Sequence, residues 1–394
     1  MTRIAIIGAG AAGCFCAANL LEQAPGLPVT LFEAGSKALA KVALTGGGRC
    51  NLTNSFEGIR SLAEAYPRGE RIMKRALKVF SEEDTCAWFQ SRGVPLTLQE
   101  DHCWFPVSQD AMDIVRCLLR ACKGADIRLN TPVRAVCHSE SSWTVNGEPF
   151  DAVVVTTGGA PKGLPFLDGL GLEMVPPVPS LFTFNVPDKS LTALMGLVVE
   201  AGIGLNGTPF RAGGPLLITD WGFSGPATLK LSSYAARHLA ENGYKGTLSV
   251  NWFNAPEAEI RERLTETASR NPQKQISTTH LLQSRLWAYL LAKAGLREDI
   301  RWAELGSKGL NRLTAILSAS SYPLSGKSRF REEFVTAGGV ALSNINPGSL
   351  ECKQHPGLYF AGEVLDIDAI TGGFNLQAAW STGYICAQSI LKSL

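Results

Sequence analysis

Gly8, Gly10 and Gly13 stand at the spacing that lets a backbone cradle a pyrophosphate, and Glu33 follows Gly13 by twenty residues. Each position has a chemical task. Gly8 permits a tight turn, Gly10 lets the main chain approach phosphate oxygens, and Gly13 allows close helix–strand packing. The N–H groups of Ala11 and Ala12 open a helix whose positive end favours an anion. Glu33 is placed to accept hydrogen bonds from an adenosine ribose, and its charge would repel a 2′-phosphate. The elements needed to hold these residues are legible around them. Ile4–Ile7 reads as an apolar strand, Ala11 to Leu21 as a small-residue helix, and Val29 to Phe32 as a second strand.

Two further glycine clusters extend the pattern. Gly357 to Glu363 reads as a short buried strand ending in Gly362-Glu363. Thr371-Gly372-Gly373-Phe374-Asn375-Leu376 then opens a final helix reaching about Lys392. A nicotinamide cofactor does not need a second strand-to-helix turn at the far end of the chain. FAD does, because its ribityl chain and ring extend beyond the pyrophosphate. Glu363 is placed to bond a ribityl hydroxyl, and the last helix's start to face the flavin edge where negative charge collects on reduction. An ordinary strand–loop–helix remains the plain alternative.

The second cluster, Thr45-Gly46-Gly47-Gly48-Arg49-Cys50-Asn51, is too polar for core. With Lys41 nearby, its N–H groups suit an anionic or carbonyl-bearing ligand. A surface loop explains the same residues equally well. Asp151 to Thr156 reads as an apolar strand ending in Thr157-Gly158-Gly159, another place of close backbone approach. Ala34 and Val133 complete the expected cofactor-binding set.

Composition narrows the partners. In 394 residues, 45% hydrophobic content is enough to build cores for two or three domains. The net charge of +2 argues against nucleic acid or an anionic membrane as partner. The stretch Ile4 to Leu21 is uncharged, yet its three glycines and single preceding Arg3 fit neither an export signal nor a spanning helix. A soluble, cytoplasmic protein is expected. Ten cysteines without a CxxC pair suit reduced thiols, and the five histidines share no metal-ligand spacing, so no metal is expected. Arg49 beside Cys50 is positioned to lower the thiol pKa, although packing near the cofactor explains Cys50 as well. Trp104-Phe105-Pro106 and Trp221-Gly222-Phe223 are candidate pocket walls or core aromatics.

The blocks TGGGRCNLTN (45–54), TTGG (156–159), PPVPSL (176–181), TDWGFSGP (219–226), TAGGV (336–340) and FAGEVLDIDAITGGFNLQ (360–377) together resemble the HI0933-like family of FAD-dependent oxidoreductases, over nearly the whole chain. The departures are Asp220, where the family usually has His, together with Asn344 and the run Leu350–Lys353. The resemblance implies an α/β fold, a Rossmann-like FAD-binding domain of glutathione-reductase type split by an insert. The first part is expected over 1–185 and the second over 332–394. Between them lie a β-barrel-like 186–255 and a helical lid 256–331, which in related flavoproteins covers the flavin and shapes the substrate pocket.

No second GxGxxG follows a later strand, so transient NAD(P)H would share the flavin's open face with the substrate in ping-pong fashion. The expected reaction is hydride transfer between flavin N5 and a small, largely apolar organic substrate, as a C=C reductase. An oxidase of small amines, a tRNA-modifying flavoprotein and a non-catalytic flavin-binding module are the alternatives. Arg261, Arg263 and their neighbours on the helical insert are interleaved with glutamates, which reads as a solvated face. The residues name neither a general acid or base nor an oligomeric state.

Overall fold

The computed structural model describes residues 2–139, 142–160, 163–327 and 335–394. The chain divides into two compact units, Met1–Pro179 with Val335–Leu394, and Ser180–Phe334. The expected boundary at 331/332 lies outside the described residues.

The first unit is built on a five-stranded parallel sheet. Its order is Leu358–Phe360, Ala152–Val155, Ile4–Ile7, Val29–Phe32, Asp126–Arg128. The central three strands are apolar save for Thr30 because both faces are covered, and every residue of each is buried. Register is set by Ile4 opposite both Val29 and Ala152. The first helix, Ala11–Gln23, and the last, Phe374–Ser393, meet closely where Gly383 replaces a side chain. A Cβ there would lie 2.7 Å from the Ala12 carbonyl oxygen. Phe15, Trp88, Phe89 and Trp380 fill the space beside this crossing with ring centroids 4.7 to 6.2 Å apart. Two small antiparallel sheets accompany it, one pairing Thr53–Asn54, Cys103–Pro106 and Leu96–Leu98.

The second unit holds a seven-stranded sheet whose paired strands run antiparallel. Its two edge strands, Ser320–Leu324 and Gly326–Lys327, are separated in sequence by Ser325 alone. The sheet must therefore curl until its edges meet, which is the barrel-like form expected from the sequence. Phe223, Trp252 and Tyr322 fill its interior at edge-to-face angles. Three helices, Glu257–Arg270, Ser284–Lys293 and Gly306–Ala319, close the unit. A single 3₁₀ turn, Ile276–Thr278, precedes the helix Ser284–Lys293. Two short helices, Gly225–Tyr234 and Ala236–Glu241, meet at Ala235.

Candidate functional site

The N-terminal turn is locked from below and open from above. The Gly8 N–H donates to the Phe32 carbonyl, and the Thr156 hydroxyl donates to the Gly8 carbonyl at 2.8 Å. A Cβ on Gly8, whose φ is +108°, would sit 2.6 Å from the Thr156 carbonyl oxygen; one on Gly13 would sit 2.0 Å from that of Gly8. Nothing lies within 4 Å of a Cβ on Gly10. That vacant approach faces a helix start with no capping side chain and no acid in its first turn. Its backbone donors are therefore free for an anion.

Glu33 closes this end. One carboxylate oxygen accepts the Ala9 N–H at 3.0 Å and the other that of Gly35 at 2.7 Å, leaving lone pairs for further donors. Ala34 is exposed beside it. Val133 follows Thr131, whose N–H donates to the Glu33 carbonyl at 2.8 Å.

The other candidates gather around Glu363 and the last helix. One Glu363 oxygen accepts the Thr336 N–H at 2.7 Å, and the Lys41 ammonium lies 3.9 Å from the other. Gly158 and Gly159 run against the same carboxylate, and a Cβ on Gly159 would stand 2.8 Å from it. Thr157 precedes them at the end of its strand. Gly362, at φ +77°, packs on Ala12, so the first and last glycine motifs share one wall.

The blocks at 45–54 and 371–377 are stitched to each other. Asn54 donates to the Gly372 carbonyl at 3.0 Å, Thr53 to the Gln377 side-chain oxygen at 2.6 Å, and the Trp380 indole to the Leu52 carbonyl at 3.0 Å. A Cβ on Gly373 would meet both Thr53 and the Asn51 side-chain oxygen at 2.6 Å. The Phe374–Ser393 helix begins, like the first, without a side-chain cap or an acid in its first turn. Phe374, Asn375 and Leu376 thus present unpaired backbone donors. The side chains there have structural tasks. Phe374 is buried against Phe56 and Tyr66, and Asn375 clamps the Ala369 backbone through both its N–H and carbonyl.

In the triple-glycine loop, Gly46, Gly47 and Gly48 all have positive φ, and Thr45 donates to the Val42 carbonyl. Nothing lies within 4 Å of a Cβ on Gly47 or Gly48. Asn51 carries a buried side-chain oxygen that accepts no hydrogen bond. An orphaned acceptor beside open glycines is what an incoming N–H or O–H donor would satisfy.

Of the two readings of Cys50, activation by Arg49 and packing, the geometry supports packing. Arg49 lies over the Phe105 ring at 4.6 Å and bonds the Gly46 carbonyl and Gln109. The Cys50 thiol is fully buried, and desolvation pushes it up to about 12 against a weaker opposing hydrogen bond from Thr45. Burial likewise raises Cys103 to about 11. Neither is a thiolate at neutral pH. Phe105 is core beneath Arg49, and Phe223 belongs to the interior of the second unit.

Some residues were not singled out from the sequence. Gln377, fully buried, accepts from Thr53 and Thr85 and donates to Ser381. Arg68 grips both oxygens of the buried Asp368. The available signal was a pair of acids, Asp366 and Asp368, inside the otherwise apolar run 364–370.

The donor set fits FAD. Two capless helix starts, the carboxylates of Glu33 and Glu363, open glycines at Gly10, Gly47 and Gly48, and the orphaned Asn51 oxygen all occur within one compact unit. No described helix is long and apolar enough to cross a membrane.

The family model described as HI0933-like protein Rossmann domain matches residues 2–389. A ribosomal RNA dihydrouridine synthase of Haemophilus influenzae is 32% identical over 410 residues, covering 98% of each chain; the protein of that name from Escherichia coli is also 32% identical over 411. A 3-dehydro-bile acid delta(4,6)-reductase of Clostridium scindens is 28% identical over 414 residues and 99% of each chain. Among solved structures, the 3-ketosteroid delta1-dehydrogenase of Sterolibacterium denitrificans has a TM-score of 0.50 at 13% identity, over 100% of this chain and 99% of that one, a likeness of fold. The chain belongs to the HI0933-like family of FAD-dependent oxidoreductases.

Proposed function

We propose that this enzyme saturates a carbon–carbon double bond conjugated to a carbonyl, with electrons supplied by NAD(P)H. One observation carries the reading: three relatives aligned over 98% or more of the chain have names that describe that chemistry on different molecules. Dihydrouridine is uridine saturated at the bond next to a ring carbonyl, and a 3-dehydro steroid Δ4 bond is an enone.

The flavin would supply hydride transfer at N5. The chain's own residues bind, orient and stabilise charge. Glu33 takes the ribose hydroxyls while its backbone bonds keep the carboxylate fixed. The helix start at Ala11 and Ala12 holds the pyrophosphate, with Gly10 as the point of approach. Glu363, held by Thr336 and facing Lys41, takes a ribityl hydroxyl. The Phe374–Leu376 N–H groups, at an uncapped helix start, would stabilise negative charge on the reduced ring edge.

The substrate we favour is a uridine of ribosomal RNA, the substrate named for the two relatives at 32% identity. A free enone of steroid type is the second reading, from the relative at 28%. Ribosomal RNA from cells with and without the gene should differ by dihydrouridine, read by mass spectrometry of nucleosides. Unchanged RNA, combined with turnover of a 3-oxo-4-ene steroid by the purified protein, would replace the first reading with the second.

A further inference from the structure

Resting on the ribosomal RNA reading, the structure points to a docking surface for it: we propose that the exposed face of the helix Glu70–Val79 binds the RNA phosphate backbone. Arg71, Lys74, Arg75 and Lys78 are all exposed and recur at the spacing of one helix face. None of the four has a carboxylate within 4.0 Å or a side-chain hydrogen bond among the described residues. The opposite face, with Ile72, Met73 and Ala76, is buried.

This arrangement is poor for the helix itself. Arg71–Arg75 and Lys74–Lys78 are like-charge pairs four apart, and Arg71–Lys74 and Arg75–Lys78 are like-charge pairs three apart; each is destabilising. Arg71 also sits in the first turn, at the positive end of the macrodipole. Glu70 is the helix's one acid. A polyanion laid along the face relieves all of these repulsions together, which is the charge complementarity that selects RNA.

The helix Glu257–Arg270 shows what a merely solvated charged face looks like in this chain. There Arg270 pairs with Glu266, Arg261 bonds Asn311, Arg263 lies over Phe253, and glutamates are interleaved.

The basic helix is also fixed to the candidate cofactor site. Arg68, two residues before it, holds Asp368, and a Cβ on Gly69 would strike Ile367 at 2.6 Å. The Ile370 N–H donates to the Ala65 carbonyl, and the Tyr66 hydroxyl to that of Phe374. The segment that leads into the basic face is therefore bolted to the loop between Glu363 and Gly372.

The test uses FAD-loaded full-length protein and protein-free ribosomal RNA, with binding measured across salt concentrations. Replacing Arg71, Lys74, Arg75 and Lys78 together by Gln should weaken binding about 10- to 100-fold near physiological salt and lower the log–log salt slope by about 3 to 4. Flavin content should be retained and the thermal midpoint should not fall, since the like-charge repulsions are removed, and a Lys74→Gln/Arg75→Gln pair should give an intermediate loss of binding. Arg261→Gln/Arg263→Gln should change binding less than about twofold, as a pair outside the phosphate path. Wild-type affinity in the quadruple variant would overturn the surface. Binding of phosphatidylserine vesicles by this face, without RNA binding, would overturn it in favour of a lipid. Uridine reduction with an unchanged KM for RNA in the variant would sink the surface and leave the enzymatic reading standing. RNA binding lost in the variant, with no uridine reduced by the wild type, would sink the enzymatic reading alone.

Discussion

The turn Gly8–Gly13 and the loop Gly46–Gly48 are both glycine-rich, yet they need glycine for different reasons. In the first, Gly8 and Gly13 are wedged against backbone, and only Gly10 opens onto free space. In the second, Gly47 and Gly48 open onto free space and are required by φ values of +69° and +84°, while Gly46 alone is crowded, at 2.8 Å from the Asn51 nitrogen. The first region is a packed joint with one window. The second is a left-handed strap beside an orphaned acceptor. Substitution should therefore separate folding from cofactor binding in one and blend them in the other.

The largest effect is expected at Gly13→Ala. Its methyl would lie 2.0 Å from a backbone oxygen that cannot swing away, so the first turn must shift. A loss on the order of 3 kcal/mol is expected by denaturant titration. Gly10→Val should do the converse. The apoprotein should unfold within about 0.5 kcal/mol of wild type, as for a substitution into open space, while FAD affinity falls at least about 100-fold through the lost approach to the pyrophosphate. Equal damage to folding from both would break the distinction.

Gly47→Ala should cost about 1 kcal/mol through its left-handed conformation alone and weaken FAD a few-fold. A smaller effect concerns the end of that strap. The buried Cys50 thiol keeps its proton, so of ten cysteines only Cys137 is exposed to a thiol reagent in the native protein. Native protein should titrate with one thiol and unfolded protein with ten. Because the folded pKa of Cys50 is raised to about 12, its contribution to stability is complete below about pH 8.5, the ordinary thiol value, and is lost as pH rises towards 12. Modification of Cys50 in native protein at pH 7 would contradict this.

The same contrast explains what the sequence makes legible. Gly8, Gly10, Gly13 and Glu33 are readable because they lie within one strand–helix–strand unit, where spacing carries geometry, although the Thr156 that locks Gly8 from a distant strand is not. The strap's role is not readable from spacing, since Leu52, Thr53 and Asn54, which follow it, bond Trp380, Gln377 and Gly372 more than 300 residues away. The family resemblance, rather than periodicity, links those blocks. Arg68 and Asp368 stay hidden for the same reason, 300 residues apart. Adjacency of Arg49 and Cys50 in sequence does not bring their side chains together: one lies over Phe105 and the other is buried. The net charge of +2 averages over the four unpaired cations of one helix face, so a global count cannot register them.

The central claim is transfer of reducing equivalents to a conjugated double bond, and one anaerobic experiment meets it directly. The FAD-loaded protein is reduced with NADH or NADPH, freed of excess donor, and mixed with protein-free ribosomal RNA from cells lacking the gene. The account predicts return of the oxidised flavin colour, with one dihydrouridine formed per flavin reoxidised. Flavin that stays reduced with the RNA, and equally with a 3-oxo-4-ene steroid, yet reoxidises at once in air, would contradict it.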